Sequence, residues 1–337
     1  MLLFFCHSGR SAEEIRTFNM RGFVNIIWNF SRGGINMKQS LAIGTALLLI
    51  AVALILAGCI TKQEPEWDVT SDGFLSYRMP VLDSDLDPLP ESLEKTDNYT
   101  LCKVVYKSRG ADIEGLIRIP ENRSGKQVPG IVLLPGATVT KEGEQGLARY
   151  LCDIGYASIA IDQRNLGGIN MEGDLRMFLN GEEPTQHKMV YDALSAAEVL
   201  RRHPEIDPDR ILYLGESNGG RFAITGCALD ERARGVVAIS TCGYGIDALV
   251  TLGRMKDPEV IRFYRSVDPD TYLDDISPRT FVMIHSLNDP VIPYSSAQQT
   301  YIKIGESKSL HIIEAEGHGY NASMNPFLEV ELARVFS

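Results

Sequence analysis

Ile211-Leu212-Tyr213-Leu214-Gly215-Glu216-Ser217-Asn218-Gly219-Gly220 joins a short apolar run to a serine flanked by glycines. The first four residues have the make-up of a buried strand, and a helical pattern begins at Gly219 and runs to residue 230. Between them the G-x-S-x-G spacing demands a tight turn, which small neighbours permit and which lifts the Ser217 hydroxyl above the strand end. The unpaired N–H groups at the helix start point positive potential at charge developing beside that hydroxyl. A serine also serves as a plain helix N-cap. A phosphate loop is the other use of such glycines, but neither G-x-G-x-x-G nor G-x-x-x-x-G-K-[ST] is matched.

Outward from this turn, short apolar runs ended by Gly, Pro or Asp recur at 101–107, 113–119, 128–134, 157–162, 211–215, 236–240, 280–285 and 310–313. Helical patterns lie at 144–154, 187–203, 219–230 and 294–305. In the second, Val190, Leu194, Ala197 and Leu200 share one face and Pro204 ends it. The alternation predicts an α/β fold, a mostly parallel eight-stranded sheet with helices on both faces. The link 108–112 is too short for a crossover helix, so the first two strands are expected as an antiparallel hairpin at the sheet edge. The folded domain is expected over 99–337, with 242–277 as a small lid.

Two more stretches follow late strands. His285-Ser286-Leu287-Asn288-Asp289-Pro290 comes after the seventh run, and Glu316-Gly317-His318-Gly319-Tyr320 after the eighth. Together with the turn at 215–219, they resemble the α/β-hydrolase family, in particular its esterase and dienelactone-hydrolase-like members, over about 101–336. The resemblance implies the α/β-hydrolase fold and a triad in chain order Ser217, Asp289, His318. It also implies an oxyanion hole from the N–H groups of Asn218 and of Ala137 in Leu134-Pro135-Gly136-Ala137-Thr138, where Pro135 stands in place of the family's histidine. The chemistry agrees, because a serine hydroxyl needs a neutral imidazole to take its proton and the imidazole needs a carboxylate on its other nitrogen. Asp289 is also an ordinary turn residue before Pro290. Asp274, Asp275 and His285 compete for the acid and base roles but fall outside the family order.

Asp162-Gln163-Arg164-Asn165-Leu166-Gly167-Gly168 resembles the family's D-x-R-G loop, so Arg164 is expected to pair with a nearby acid, with binding of a substrate carboxylate as the other reading. Glu216 is expected to hydrogen-bond the loops around the turn, with Arg221 as its partner. Tyr244, Phe263, Tyr264, Tyr272 and Tyr320 are candidates for the pocket wall, with core packing as the alternative.

The N-terminal part has a different character. Met37-Lys38-Gln39-Ser40 leads into an apolar run over 41–57 and then Gly58-Cys59, the pattern of an export signal. Leu56-Ala57-Gly58-Cys59 resembles the lipobox of prokaryotic lipoproteins, which implies removal of 37–58 and a lipid on Cys59. An uncleaved spanning helix is the alternative. Either way the remainder is expected outside the cytoplasm, anchored to the cell membrane. Residues 1–36 precede a signal that is already complete, and one choice of codons for Arg32-Gly33-Gly34 gives a ribosome-binding sequence, so Met37 is the expected start. The acidic, Pro-containing residues 59–98 are expected as a tether with partial structure.

The net charge of −11 argues against a nucleic-acid partner. The six cysteines stand singly, without metal-site spacing, and the pairing of Cys102, Cys152, Cys227 and Cys242 is left open. The expectation is thus a serine hydrolase that cleaves carboxylic esters through an acyl-enzyme, with no cofactor or metal and a small-molecule ester or short peptide as substrate. A peptidase or amidase of the same fold is one alternative. A non-catalytic surface binding protein on this scaffold is another.

Overall fold

Strands that are apolar on both faces need cover on both faces, and here each face of one sheet carries its own hydrophobic core. The computed structural model describes residues 66–78, 91–121 and 125–337. Met37, the apolar run at 41–57 and Cys59 lie outside the described residues. In chain order the elements are β1 (Trp67–Val69), β2 (Leu75–Tyr77), β3 (Glu91–Lys95), β4 (Tyr99–Ser108), β5 (Ala111–Pro120), β6 (Val128–Leu134), α1 (Gln145–Asp153) and β7 (Ala157–Ile161). Then come α2 (Met171–Leu179), α3 (Thr185–Arg202), β8 (Ile206–Glu216), α4 (Asn218–Leu229), β9 (Gly235–Ile239), α5 (Ile246–Thr251) and α6 (Pro258–Val267). The chain closes with β10 (Thr280–Asn288), α7 (Tyr294–Tyr301), β11 (Lys308–Glu316) and α8 (Asn325–Val335).

The main sheet runs β11-β10-β9-β8-β6-β7-β5-β4-β3. The pairs from β11 through β7 are parallel, and β7–β5, β5–β4 and β4–β3 are antiparallel. The eight expected strands are all present, as β4 to β11. Among the described residues the expected count of eight is corrected to nine by β3, which also displaces the β4–β5 hairpin from the edge. The sequence of β3, Glu-Ser-Leu-Glu-Lys, is exposed throughout. It has no buried face to impose a period-2 pattern, so it reads as part of an acidic linker.

Alternate residues of the central strands feed the two cores. Ile131 and Leu133 of β6 and Leu212 and Leu214 of β8 pack with Leu147 and Leu151 of α1 and Leu328 and Leu332 of α8. Val132, Leu134, Ile211 and Tyr213 face the other way, toward α3, α4 and α6. The expected lid, 242–277, holds α5, α6 and a 3-10 turn at Pro269–Asp275, and it is rooted in this second core by Phe263, Tyr272 and Leu273.

The β1–β2 ribbon belongs to the same core. Leu75 is fully buried and its N–H donates to the Tyr272 hydroxyl at 3.2 Å. Phe74 packs on the Tyr272 ring, and Trp67 lies against Phe178 and the His187 ring. His187 is fully buried with Nε2 2.8 Å from Ser266 Oγ. Since Ser266 donates its own proton to the Phe263 carbonyl, His187 is the donor of that bond. Its Nδ1 has no partner among the described residues, and burial pushes the ring's pKa down to about 3.

Candidate active site

The end of β8 turns into α4 at Ser217, whose backbone takes φ 54° and ψ −121°, a conformation that non-glycine residues rarely adopt. Its N–H extends the sheet to the Ile239 carbonyl at 2.9 Å, and its carbonyl accepts from Thr241 Oγ1 at 2.8 Å. The flanking glycines are required by space. A Cβ on Gly219 would sit 2.1 Å from the Leu134 carbonyl oxygen, and one on Gly215 would sit 2.3 Å from the Gly219 carbonyl oxygen. The turn therefore closes only with hydrogen at both positions, and it leaves the Ser217 side chain at the carboxyl end of the parallel strands.

Asp289 and His318 arrive on loops after β10 and β11. His318 Nε2 lies 2.8 Å from Ser217 Oγ, and its Nδ1 lies 3.0 and 2.9 Å from Asp289 Oδ1 and Oδ2. A carboxylate only accepts, so the imidazole proton sits on Nδ1, and Nε2 is left to accept from the hydroxyl. Asp289 Oδ1 also accepts the N–H groups of Val291 and Ile292 at 2.8 and 2.9 Å. Burial raises the Asp289 pKa, but the bonds from His318, Ile292 and Val291 outweigh it and hold the carboxyl below the usual range. The rivals lie elsewhere: Asp274 and Asp275 are exposed, and His285 is buried beneath the acid loop, with Nε2 donating to the Ile292 carbonyl at 2.9 Å.

The two expected oxyanion donors belong to loops that are tied together. Gly136 passes beside the nucleophile, where an added Cβ would be 3.4 Å from Ser217 Cβ. Gln163 donates to the Pro135 carbonyl, the Thr138 N–H donates to Leu166 O at 2.6 Å, and Asn218 Nδ2 donates to Gly167 O at 3.1 Å. The segment 163–167 thus braces both Ala137 and Asn218. It is held by Arg164, whose Nε and Nη2 donate to the two oxygens of buried Asp192 at 2.7 and 2.9 Å and whose Nη2 reaches the Ser108 carbonyl at 2.6 Å. Arg164 therefore pairs with an acid, as its loop suggested.

Arg221, Phe263 and Tyr272 are placed otherwise than expected. Arg221 does not pair with Glu216; it donates to Asn218 Oδ1 at 2.6 Å and to the Cys242 carbonyl at 2.9 Å, with its guanidinium over the Tyr244 ring. Phe263 and Tyr272 are fully buried in the core and offer no wall to a ligand. Tyr264 packs on Phe263, and Tyr320 donates its hydroxyl to Asn325 at 2.6 Å. Cys102, Cys152, Cys227 and Cys242 are buried free thiols. Among the described residues no group of three or more His, Cys, Asp or Glu side chains is gathered as metal ligands would be.

One polar group at the site had no sequence signal. Glu144, just before α1, is 4% exposed, and its Oε1 has no hydrogen-bond partner among the described residues. Burial, and after it the neighbouring Glu216 charge, push its pKa up to about 9. Glu216 itself accepts the Tyr320 N–H at Oε2, 2.6 Å away. An acid at the start of a helical pattern reads as a solvated end, and only the fold brings the strand end over it.

Residues 78–334 match the sequence profile of the acetyl xylan esterase (AXE1) family. Among curated proteins the chain is 28% identical over 138 residues to the uncharacterized protein YfhR of Escherichia coli O157:H7, covering 40% of this chain and 47% of that one. It is 32% identical over 116 residues to the polyketide transferase ATR5 of Stachybotrys chlorohalonatus, covering 34% and 37%. The matches thus span less than half the length of these relatives. Among solved structures, an acetyl xylan esterase from Paenibacillus sp. R4 aligns with a TM-score of 0.60 at 19% identity, over 75% of this chain and 89% of that one. Acetyl xylan esterase 1 from Thermoanaerobacterium sp. JW/SL YS485 aligns at 0.57 and 18%, over 74% and 88%. At such identities the likeness concerns the fold, which is that of the α/β-hydrolases.

Proposed function

The chain belongs to the acetyl xylan esterase family of α/β-hydrolases, and from that membership we propose that it hydrolyses carboxylic esters by a serine mechanism. The observation that carries the proposal is the hydrogen-bonded chain Ser217, His318, Asp289 at 2.8 and 2.9 Å. His318 takes the Ser217 proton as Oγ attacks the ester carbonyl, and Asp289 supports the imidazolium that results. The oxyanion is received by the N–H groups of Asn218 and Ala137. His318 then protonates the leaving alcohol, and in the second half it draws a proton from water, which cleaves the acyl-enzyme and restores Ser217. The family's name makes acetyl esters of carbohydrates the first substrates to try.

The test is an ester panel of graded acyl length, run beside short peptide amides, with Ser217→Ala as the control. Turnover of acetyl esters and Ser217-dependent labelling by a phosphonate probe are expected. Turnover that survives in Ser217→Ala, or wild-type protein that neither turns over an ester nor reacts with the probe, overturns the proposal. Faster cleavage of amides than of esters would replace the esterase by a peptidase.

For location, the support is the signal-like stretch 37–58 ahead of Cys59. The protein is a lipoprotein held at the outer side of the cell membrane by acylated Cys59. Incorporation of labelled palmitate that is lost in Cys59→Ser is expected, and equal labelling of both sinks the assignment.

A further inference from the structure

The turn that carries Asp289 stands out from the end of β10. Of residues 287–293 only Asp289 and Ile292 are buried, so these two fix how the turn sits on the domain. His285 contacts both. Its side chain is fully buried, its Nε2 donates to the Ile292 carbonyl at 2.9 Å, and the same nitrogen lies 3.7 Å from Asp289 Oδ2. Ile292 is thus held at two points, because its N–H donates to Asp289 Oδ1 at 2.9 Å while its carbonyl is fastened to His285. His285 in turn is set in the sheet: it stands opposite Ile312 in the parallel β10–β11 register, and the Ile284 carbonyl just before it accepts the Ser240 N–H at 3.0 Å.

A carbonyl only accepts, so the His285 proton sits on Nε2. Its Nδ1 has no hydrogen-bond partner among the described residues, and a second proton there would be a buried donor left unpaired. The titratable groups that face the ring are Asp289, His318 and Tyr294, the last with its ring centre 6.3 Å from that of His285. Burial lowers the His285 pKa, against the Ile292 bond and the Asp289 charge, which raise it. The ring is therefore a neutral donor that forms no ion pair with Asp289, and the acid keeps its charge for His318.

We propose that His285 is a positioning residue of the triad: as a neutral donor beneath the acid turn it fixes Ile292, and through Ile292 it holds the Asp289 carboxylate against His318 Nδ1. The inference rests on the triad reading. Both Asp289 oxygens lie within 3.0 Å of that nitrogen, an arrangement that a small rotation of the turn would spoil. A displacement of about 1 Å at a catalytic group lowers turnover by as much as about a hundredfold.

The experiment compares kcat and KM of wild type, His285→Gln and His285→Asn, each assayed below its own thermal transition, with Ser217→Ala subtracting spontaneous hydrolysis. A glutamine amide reaches the place of Nε2 and can donate to the Ile292 carbonyl, whereas an asparagine amide ends near the place of Nδ1 and falls short. His285→Asn is expected to lose at least about tenfold in kcat with KM changed less than about twofold, and His285→Gln to stay within about threefold of wild type. Nitrogen NMR of the wild-type ring, which needs no variant to fold, should show a neutral Nε2–H tautomer from about pH 6 to about pH 8. The role is overturned if His285→Asn keeps wild-type kcat, if His285→Gln falls as far as His285→Asn, if KM rises in step with the loss, or if the ring proves charged or protonated at Nδ1. An inactive wild type overturns the triad reading instead.

Discussion

Both carboxylate oxygens of Asp289 lie within 3.0 Å of one atom, Nδ1 of His318, while Oδ1 also receives two backbone N–H groups from its own turn. In Asp289→Asn the amide oxygen is claimed by Val291 and Ile292, so the NH2 group faces Nδ1. That forces the imidazole proton onto Nε2, the wrong tautomer for a base. The variant should fold normally and lose about 10³- to 10⁴-fold in kcat with little change in KM. Steady-state kinetics beside a thermal melt check this, and a loss under tenfold contradicts the assignment.

Gly219 lies against the carbonyl oxygens of Leu134 and Pro135, and neither is the end of a flexible side chain. Gly219→Ala should therefore cost at least about 3 kcal/mol, through displacement of β6 or of the turn itself. Chemical denaturation measures it. A loss under about 1 kcal/mol would mean that the turn has room the structure does not show.

Arg164→Met leaves Asp192 buried without its cation, a change of the kind that costs about 3–5 kcal/mol. Arg164→Lys keeps the charge but loses the fork that also reaches the Ser108 carbonyl, and should fall between. In the folded fraction of either variant kcat should drop more than KM rises, because 163–167 braces the loops of Ala137 and Asn218. Urea titration and kinetics on the same samples separate the two effects.

His187 makes the protein sensitive to acid. Unfolded histidine titrates near about 6.5, whereas buried His187 stays neutral down to about 3. Below about pH 6.5 the unfolded chain binds a proton that the folded chain refuses, so stability falls as pH falls, by up to about 1.4 kcal/mol per unit from this residue. Replacing it by Phe loses the Ser266 bond but should flatten the acid slope by about one proton. Unfolding free energies at several pH values from about 7 to about 4 test the slope. Equal slopes refute the role given to His187.

Much of this was legible in the sequence because the site is built on backbone geometry, and backbone geometry leaves glycines behind. Gly215, Gly219, Gly317 and Gly319 mark the turn and the histidine loop, and strand β10 places Asp289 between them. Charges that meet only in the fold left no such trace. Arg221 looked like the natural partner of Glu216, yet the helix carries it toward Asn218, while Glu144 comes from more than seventy residues away. Phe263 and Tyr272 show the same limit for apolar residues, since aromatic composition does not separate a cavity wall from a core. The β1–β2 ribbon was read as tether because Trp67, Phe74 and Leu75 sit among Asp, Ser and Gly, and what they pack on comes from α2, α3 and the turn after α6.

That ribbon decides where the chain can be cut. A fragment beginning at residue 99 would strip Trp67, Phe74 and Leu75 from Phe178, His187 and Tyr272 and leave a sticky apolar scar on the domain. A cut that leaves the domain whole has to fall ahead of Glu66, where the compact unit begins.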